Sequence, residues 1–391
     1  MSPRKLIVSW LVLLLAGATL HAESGKPSPG IKKIEDRTVY AGENFYSTFP
    51  SVVRRPDGEL LLAFRRAPDR RVLGGGKYRH TDPNSYLVLV RSKDSGQTWS
   101  KEPELIYAHP YGGSQDPCMV QLSDGSILCT SYGWARLETE QVSKLKQPLF
   151  VNSKNFVFMG GYILRSQNNG RSWDPIIPAP TKIDPTLGIF GEPIPAFNRG
   201  AMCEGANGRL YWVSQVFSST TPAYTENHLM ISDDKGLTWT YSSVVAADPK
   251  VQFNETSIYE TPKKDLVAFM RTDAYNDHLA IARSTDGGKS FTWSDGGVIG
   301  HPYHAVRLPD KRVLLVYGYR HVPYGIRARV LNAECTDAAT APEVVLRDDG
   351  GAPDLGYPWV TVLSKKRALV VYYFNKANGP RTIESTLVEI E

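Results

Sequence analysis

A short pattern that occurs four times constrains the fold of this chain more than any other feature. Each copy has an Asp or Asn that can accept hydrogen bonds from nearby backbone N–H groups, a Gly that tolerates positive φ, and an aromatic ring that can pack underneath. The copies are Ser92–Trp99 (SKDSGQTW), Ser166–Trp173 (SQNNGRSW), Ser232–Trp239 (SDDKGLTW) and Ser284–Phe291 (STDGGKSF). Because repeated units of this kind indicate a repeat architecture, we expect each copy to hold one hairpin turn of a repeating structure.

Between these turns, the sequence is typical of strands joined by tight turns. Pro50–Phe64 has a strand pattern on either side of a Pro-Asp-Gly turn. The same pattern returns in Cys118–Tyr132, Gly200–Gln215, Thr256–Met270, Ala305–Tyr319 and Val360–Phe374. The unit spacing of roughly 50–70 residues exceeds the ~40–45 of a minimal propeller blade, so insertions are expected. The sequence predicts an all-β, six-bladed β-propeller, with seven blades as the alternative, and Lys32–Tyr40 as the strand that closes the ring.

The N-terminal residues resemble an export signal. Arg4 and Lys5 precede an apolar run, Leu6–Leu15, which small residues follow up to Ala22. We therefore expect residues 1–22 to be a cleaved signal peptide, 23–30 a polar tether and 31–391 one domain in a secreted or periplasmic protein. No later apolar run of about 20 residues indicates a membrane span. The net charge of +5 forms no basic stripe that would suggest nucleic acid.

The four cysteines leave two possibilities open. Cys118 and Cys129 flank a predicted turn, so a cross-strand disulfide and two buried thiols are both compatible with the sequence. Their spacing does not resemble that of metal ligands, and we expect neither a metal nor a cofactor in the chemistry.

Residues that could act on a ligand are expected on the inner strands and loops, because the innermost strand of each propeller blade faces the central channel. Five residues, one or two per unit, meet this requirement: Asp82, Glu255, Arg271, Arg327 and Tyr357.

These segments and their order resemble the sialidase (neuraminidase) superfamily over essentially the whole predicted domain. The four turns resemble that superfamily's Asp-boxes, and Thr48–Leu61 stands where the family has its Arg-Ile-Pro motif and the following hairpin. The resemblance implies an acid/base aspartate at Asp82, a catalytic glutamate at Glu255, binding arginines at Arg271 and Arg327, and a nucleophile at Tyr357.

The resemblance implies an exo-acting, retaining glycoside hydrolase that releases a terminal sialic acid or a related acidic sugar. Because a sialic acid carries a carboxylate at its anomeric carbon, a neutral tyrosine such as Tyr357 is a better nucleophile than a carboxylate. Its phenol needs a nearby base, here Glu255, while Asp82 protonates the leaving sugar. Arginine forks such as those of Arg271 and Arg327 suit a substrate carboxylate. We expect a monomer acting on glycans.

One position departs from the family pattern, since Thr48 stands where the first of three binding arginines belongs. Arg65 or Arg66 could replace it, and strand alternation puts only one of them on the channel face. Loss of one hydrogen bond to a charged group costs ~1.5–3 kcal/mol, so we expect recognition of the substrate carboxylate to be weaker by about 10- to 150-fold.

Thr48 and the histidines His301, His304 and His321 keep alternative functions open. A set of His, Tyr and Arg side chains could act as a polysaccharide lyase on uronic sugars, and a hydrolase for another acidic sugar fits the same scaffold. A non-catalytic glycan-binding propeller is the third possibility.

Overall fold

Six antiparallel sheets form the blades of a β-propeller in the computed structural model of the chain. The structure describes residues 30–74, 80–144, 156–181, 187–188, 191–217, 224–377 and 379–391. The predicted signal peptide, and the predicted tether up to residue 29, lie outside these ranges. The six-bladed prediction is confirmed.

The strands follow the chain from blade to blade. The first strand is β1 (Ile31–Tyr40), and blade 1 contains β2 (Phe45–Arg54), β3 (Leu60–Pro68), β4 (Tyr86–Ser92) and β5 (Glu104–Tyr107). Blade 2 contains β6 (Gly113–Ser114), β7 (Cys118–Gln121), β8 (Ile127–Arg136), β9 (Phe156–Ser166) and β10 (Asp174–Ile176). Blade 3 contains β11 (Cys203–Glu204), β12 (Leu210–Phe217), β13 (Thr225–Ser232) and β14 (Thr240–Ala246).

Blades 4 to 6 repeat this arrangement. Blade 4 contains β15 (Gln252–Glu260), β16 (Leu266–Asp273), β17 (His278–Ser284) and β18 (Thr292–Ile299). Blade 5 contains β19 (His301–Arg307), β20 (Val313–Tyr319), β21 (Gly325–Leu331) and β22 (Glu343–Arg347). Blade 6 contains β23 (Gly356–Ser364), β24 (Arg367–Phe374) and β25 (Thr382–Ile390). Two short helices lie in insertions of the first two blades: α1 (Arg70–Leu73) between β3 and β4, and α2 (Thr139–Val142) between β8 and β9. Within the described chain, no helix is long and apolar enough to cross a membrane.

The ring closes because β1 completes blade 6. It pairs antiparallel with β25, from Ile31 opposite Ile390 to Tyr40 opposite Ile383. The two ends of the domain are thereby held in one sheet, so the ring of blades cannot open without breaking this strand pairing. The predicted closing strand is confirmed.

The repeated turns join the two outermost strands of blades 1 to 4 and also fill the space between blades. In the first turn, Asp94 Oδ1 accepts from Ser92 Oγ (2.8 Å) and from the backbone N–H of Thr98 (2.9 Å). The glycine of the third turn, Gly236, has φ +83°, and a Cβ there would lie 2.4 Å from Leu128 of the preceding blade. Only glycine allows this approach, so the pattern stabilises both the hairpin and the contact between blades.

Side chains of the innermost strands also join neighbouring blades. Ser51 Oγ accepts from Met119 N (3.1 Å), and Ser257 Oγ accepts from Ala201 N (3.1 Å), in each case across two blades. His304 Nδ1 accepts from Val360 N (3.2 Å), and its ring stacks on Trp359 at 4.1 Å. His304 therefore has a structural role in joining blades 5 and 6.

The four cysteines are free thiols in the structure. Cys118 lies opposite Thr130, and Cys129 lies opposite Met119. Neighbouring positions of a strand point to opposite faces of the sheet, so the two thiols face different sides. This geometry excludes the cross-strand disulfide and leaves the alternative with buried thiols.

Candidate functional site

The innermost strands are interrupted at one level of the propeller. The registers shift in β2 at Phe49, in β15 at Glu255 and in β23 at Tyr357, while residues 115–117 separate β6 from β7 in blade 2. Phe49 (φ 57°), Asp116 (φ 25°) and Tyr357 (φ 53°) have left-handed backbones. Bulges redirect side chains, and backbone strain of this kind concentrates at functional sites. The interruptions thus mark a ring of candidate positions around the axis.

Tyr357, Glu255 and Arg271 meet at this ring. The phenol of Tyr357 donates to Glu255 Oε1 at 2.5 Å. Arg271 Nη1 donates to Glu255 Oε2 at 2.7 Å and to the Tyr357 oxygen at 3.2 Å. Tyr357 is only 5% exposed and Glu255 only 7%. The structure therefore brings together three of the residues that the sequence pointed to.

The charges around the pair put the shared proton on the phenol. Burial raises the pKa of Tyr357, and the negative charge of Glu255 raises it further. Burial also raises the pKa of Glu255, but the guanidinium groups of Arg271 and Arg199 outweigh burial and lower it. The resting state is therefore a neutral tyrosine bonded to an ionised glutamate, which is the arrangement that a base-activated nucleophile requires.

Another arginine beside Tyr357 is Arg320, whereas the sequence indicated Arg327. Arg320 directly follows β20, donates to Tyr373 Oη at 3.0 Å and lies 5.1 Å from the centre of the Tyr357 ring. Arg327 donates to the carbonyl oxygens of Pro323 (3.1 Å) and Arg347. None of the contacts recorded for Arg327 within the described chain reaches Tyr357, Glu255 or Arg271.

The strand order explains why Arg327 makes these other contacts, while its predicted binding role stays a prediction. Arg327 belongs to β21, the third strand of its blade, which is farther from the axis than the second. Arg65 and Arg271 lie in second strands, β3 and β16, and Arg320 follows another second strand. Counted from the turn of its unit, Arg320 lies two residues beyond the position that Arg65 and Arg271 share, and strand alternation assigns it to the same face, which is the sequence signal that could have indicated it.

Arg199 is a buried cation that the sequence analysis did not single out. It is 1% exposed, and its Nη2 donates to the backbone oxygen of Tyr357 at 3.1 Å. Its guanidinium lies 4.7 Å from the centre of the Tyr357 ring. Arg199 therefore supports both the strained backbone and the ring of Tyr357, and nothing local in its sequence indicates this.

Asp82 is buried and lies in an ion pair. Arg70 donates to Asp82 Oδ2 through Nε at 2.8 Å and to Oδ1 through Nη2 at 3.2 Å. The backbone N–H of Asn84 also donates to Oδ1, at 2.9 Å. No contact recorded within the described ranges joins Asp82 to Tyr357 or Glu255.

Asp116 is a second carboxyl group at the site, one that the sequence analysis missed. Its Oδ2 accepts from Tyr132 Oη at 2.9 Å, whereas Oδ1 is buried without a hydrogen-bond partner among the described residues. Burial, together with the charge of Glu255, raises the pKa of Asp116 to about 7. Asp116 therefore holds a proton close to neutral pH. Like Asp82, it is followed by a proline, and this is a weak sequence signal for it.

The two consecutive arginines of β3 face opposite sides. Arg65 lies opposite Thr48 in the β2–β3 register and is fully buried. Burial lowers its pKa, and the negative charges of Asp116 and Asp82 counter that effect, so these groups lie near Arg65. Arg66 instead lies over the ring of Phe45 at 3.4 Å. Alternation therefore puts Arg65, rather than Arg66, on the side of the site.

The remaining candidate histidines are engaged with a carboxylate. His301 Nε2 is 2.8 Å from Asp277 Oδ1, and His321 Nε2 is 3.1 Å from Asp277 Oδ2. Burial and the charges of Arg271 and Arg320 lower the pKa of His301 to about 4. No contact recorded among the described residues links these histidines to Tyr357.

A cavity of about 390 Å³ opens beside Glu255 and Arg271. Aromatic side chains form much of its wall: Tyr132, Trp134, Phe158, Phe197 and Phe217. A cavity with aromatic walls and a few charged groups is suited to a small polar ligand with an apolar face, such as a sugar.

Comparison with known proteins places the chain in a family. The model of the BNR repeat-like domain matches residues 148–367. A protein of unknown function from Dyadobacter fermentans is 58% identical, with a TM-score of 0.89 over 93% of this chain and 100% of that chain. No curated protein matches.

More distant solved structures share the fold. A Hadza microbial sialidase is 17% identical, with a TM-score of 0.61 over 87% of this chain and 65% of its own length. An α-L-arabinanase from Penicillium chrysogenum, solved with arabinobiose, is 14% identical, with a TM-score of 0.62 over 92% of this chain and 99% of that chain. Since the family match spans more than half of the 391 residues, the chain belongs to the BNR repeat-like domain family.

Proposed function

We propose that this protein is an exported, exo-acting glycoside hydrolase that removes a terminal acidic sugar, sialic acid first among the candidates, with retention of configuration. The observation that carries the proposal is the 2.5 Å hydrogen bond from Tyr357 to Glu255. Arg271 donates to both partners, so nucleophile, base and anion-binding group form one unit.

In the first step, the phenolic oxygen of Tyr357 attacks the anomeric carbon while Glu255 takes the phenolic proton. The bond to the leaving sugar breaks, and a carboxylic acid protonates its oxygen. In the second step, water attacks the same carbon and gives its proton to the deprotonated acid. The bond to Tyr357 breaks, and Glu255 returns the proton to the phenolate. Two inversions at one carbon give net retention.

The arginines favour an anionic substrate. Arg271 and Arg320 both approach Tyr357, and the largely buried surroundings strengthen their attraction for a carboxylate. A carboxylate bound between them would hold the anomeric carbon next to the phenol. Arg65, opposite Thr48, is our candidate for the third cation.

Two carboxyl groups compete for protonation of the leaving sugar. The family resemblance implies Asp82, but both of its oxygens accept hydrogen bonds from Arg70. Asp116 has one buried oxygen without a partner among the described residues and retains its proton to about pH 7. We therefore propose Asp116 as the proton donor, with Asp82 as the alternative that variants must separate.

The proposal is tested with fluorogenic glycosides of sialic, uronic and neutral sugars. We expect the wild type to release an acidic sugar and Tyr357→Phe to lose at least ~100-fold in kcat. Tyr372→Phe is the matched control, because that ring is also buried and its hydroxyl contacts Thr386 at 2.6 Å and Arg347 at 3.1 Å, outside the site. Undiminished turnover by Tyr357→Phe would refute the assignment.

The same panel separates the alternative functions. An ultraviolet-absorbing unsaturated product from a uronate would indicate a lyase. Glycan binding without turnover of any substrate would indicate a binding propeller.

A further inference from the structure

Three potential metal ligands meet next to the site, beyond the guanidinium group of Arg271, and a fourth lies beside one of them. Asp273 ends β16, Asp277 immediately precedes β17, His301 begins β19, and His321 lies two residues after β20. The ligand atoms of Asp273, Asp277 and His301 all lie within 4.8 Å of one another. His321 Nε2 lies 3.1 Å from Asp277 Oδ2, outside this group of three, and its half-exposed ring would turn towards the ion to bind it.

His301 is the member of this cluster whose surroundings indicate a missing partner. The residue is 6% exposed, and neither ring nitrogen makes an aligned hydrogen bond to any described residue. Its Nε2 nevertheless lies 2.8 Å from Asp277 Oδ1, so the contact is close but poorly oriented for a hydrogen bond. A buried polar atom without a partner is costly, and a cation between the imidazole and the carboxylate would satisfy both.

The spacing and the donor types are compatible with a small transition-metal ion. Metal–ligand bonds of about 2.0–2.2 Å in a tetrahedral zinc site separate neighbouring ligand atoms by about 3.4 Å. The distances from Asp277 to His301 Nε2 (2.8 Å) and to His321 Nε2 (3.1 Å) are slightly shorter than this value. The 4.8 Å limit on the distances among Asp273, Asp277 and His301 is longer. Small side-chain rotations would correct these differences. Two imidazoles with carboxylates favour zinc and related divalent metals over magnesium or calcium.

We propose that Asp273, Asp277, His301 and His321 bind one divalent transition-metal ion, with zinc the best match. The sequence analysis did not indicate these ligands, because they come from separate segments that only the fold brings together.

The ion would act on the catalytic site through Asp273. Asp273 Oδ1 accepts from Arg271 Nη2 at 3.0 Å, and Oδ2 accepts from Asn254 Nδ2 at 2.7 Å. A metal holding Asp273 would fix the orientation of Arg271 without touching Tyr357. The proposed role is therefore to position an anion-binding residue.

The test uses the full purified chain after removal of metal with a chelator. Calorimetric titration with Zn²⁺ and the visible spectrum with Co²⁺ measure stoichiometry and geometry, and we expect one ion per chain with a tetrahedral Co²⁺ spectrum. His321→Ala and Asp277→Asn should each weaken binding at least ~10-fold. The His321 side chain is 48% exposed, so its removal should leave the fold intact.

Asp295→Asn is the matched control. It removes the carboxylate from the neighbouring pair in which Asp295 Oδ2 lies 2.9 Å from His278 Nδ1, and it should bind metal like the wild type. Metal should raise the Tm of the wild type and of this control, but not that of His321→Ala. Absence of stoichiometric binding to the wild type, or equal binding by all variants, would overturn the proposal. None of these readouts depends on glycoside turnover, so the metal site and the proposed function can fail separately.

Discussion

Replacing Arg320 by methionine should impair the proposed enzyme far more than the same replacement of Arg327. Arg320 lies 5.1 Å from the Tyr357 ring, whereas Arg327 donates to the carbonyl oxygens of Pro323 and Arg347. Loss of one hydrogen bond to a charged group costs about 1.5–3 kcal/mol, which corresponds to a fall of about 10- to 150-fold in kcat/KM for an acidic glycoside.

A second effect acts in the same direction. The positive charge of Arg320 lowers the pKa of Tyr357 against the effect of burial, so its removal makes the phenol harder to deprotonate. The assay is kcat/KM on an acidic and a neutral fluorogenic glycoside, with thermal unfolding of both variants. Arg327→Met should keep near wild-type kcat/KM even if its Tm falls. Equal losses, or a larger loss for Arg327→Met, would refute the reasoning.

Three further perturbations test the site and the repeated turns. Glu255→Gln removes the proton acceptor of Tyr357 and should lower kcat by roughly 10²- to 10⁴-fold in steady-state assays; an unchanged kcat would exclude Glu255 as the base. If Asp116 donates the proton, kcat/KM falls as the pH rises through about 7. Asp116→Asn should abolish this fall in the pH–rate profile, and Asp82→Asn should retain it. The opposite result would assign the proton donor to Asp82. In the first turn, burial raises the pKa of Asp94, but hydrogen bonds from Thr98 and its neighbours outweigh burial and lower the pKa from 3.8 to about 2. The ionised Asp94 side chain therefore stabilises the fold above pH ~4, and this effect is lost towards pH 2. Asp94→Ala should lower the free energy of unfolding by about 1 kcal/mol at pH 7 and by less near pH 2, as measured by urea titration; an equal loss at both pH values would contradict this.

The fold could be predicted because its signals are local. The Asp94 turn and its three repeats determine their own hairpins through short-range hydrogen bonds. The closing strand was also predictable, because the last unit lacked a partner and the segment ending at Tyr40 was available. Whether Cys118 and Cys129 form a disulfide could not be predicted from the sequence, because only the strand register reveals that they face opposite sides of the sheet.

The site was predictable only where a family motif marks it. Tyr357, Glu255 and Arg271 lie in segments whose order resembles sialidases, and the structure brings them together. Arg320 was missed because a short motif does not show which strand of a blade faces the axis. Asp116 lies at an interruption of its blade, and interruptions become visible only when strands are paired.

The most direct test of the central claim is the identity of the residue that becomes covalently linked to the sugar. An acidic glycosyl fluoride with a second fluorine next to the anomeric carbon should react with the enzyme, because its leaving group is good, and then hydrolyse slowly. We predict that mass spectrometry of the digested protein will find the sugar on the peptide containing Tyr357, and that Tyr357→Phe will not be labelled. A label on Glu255 or Asp116, or turnover with inverted configuration and no label, would contradict the account.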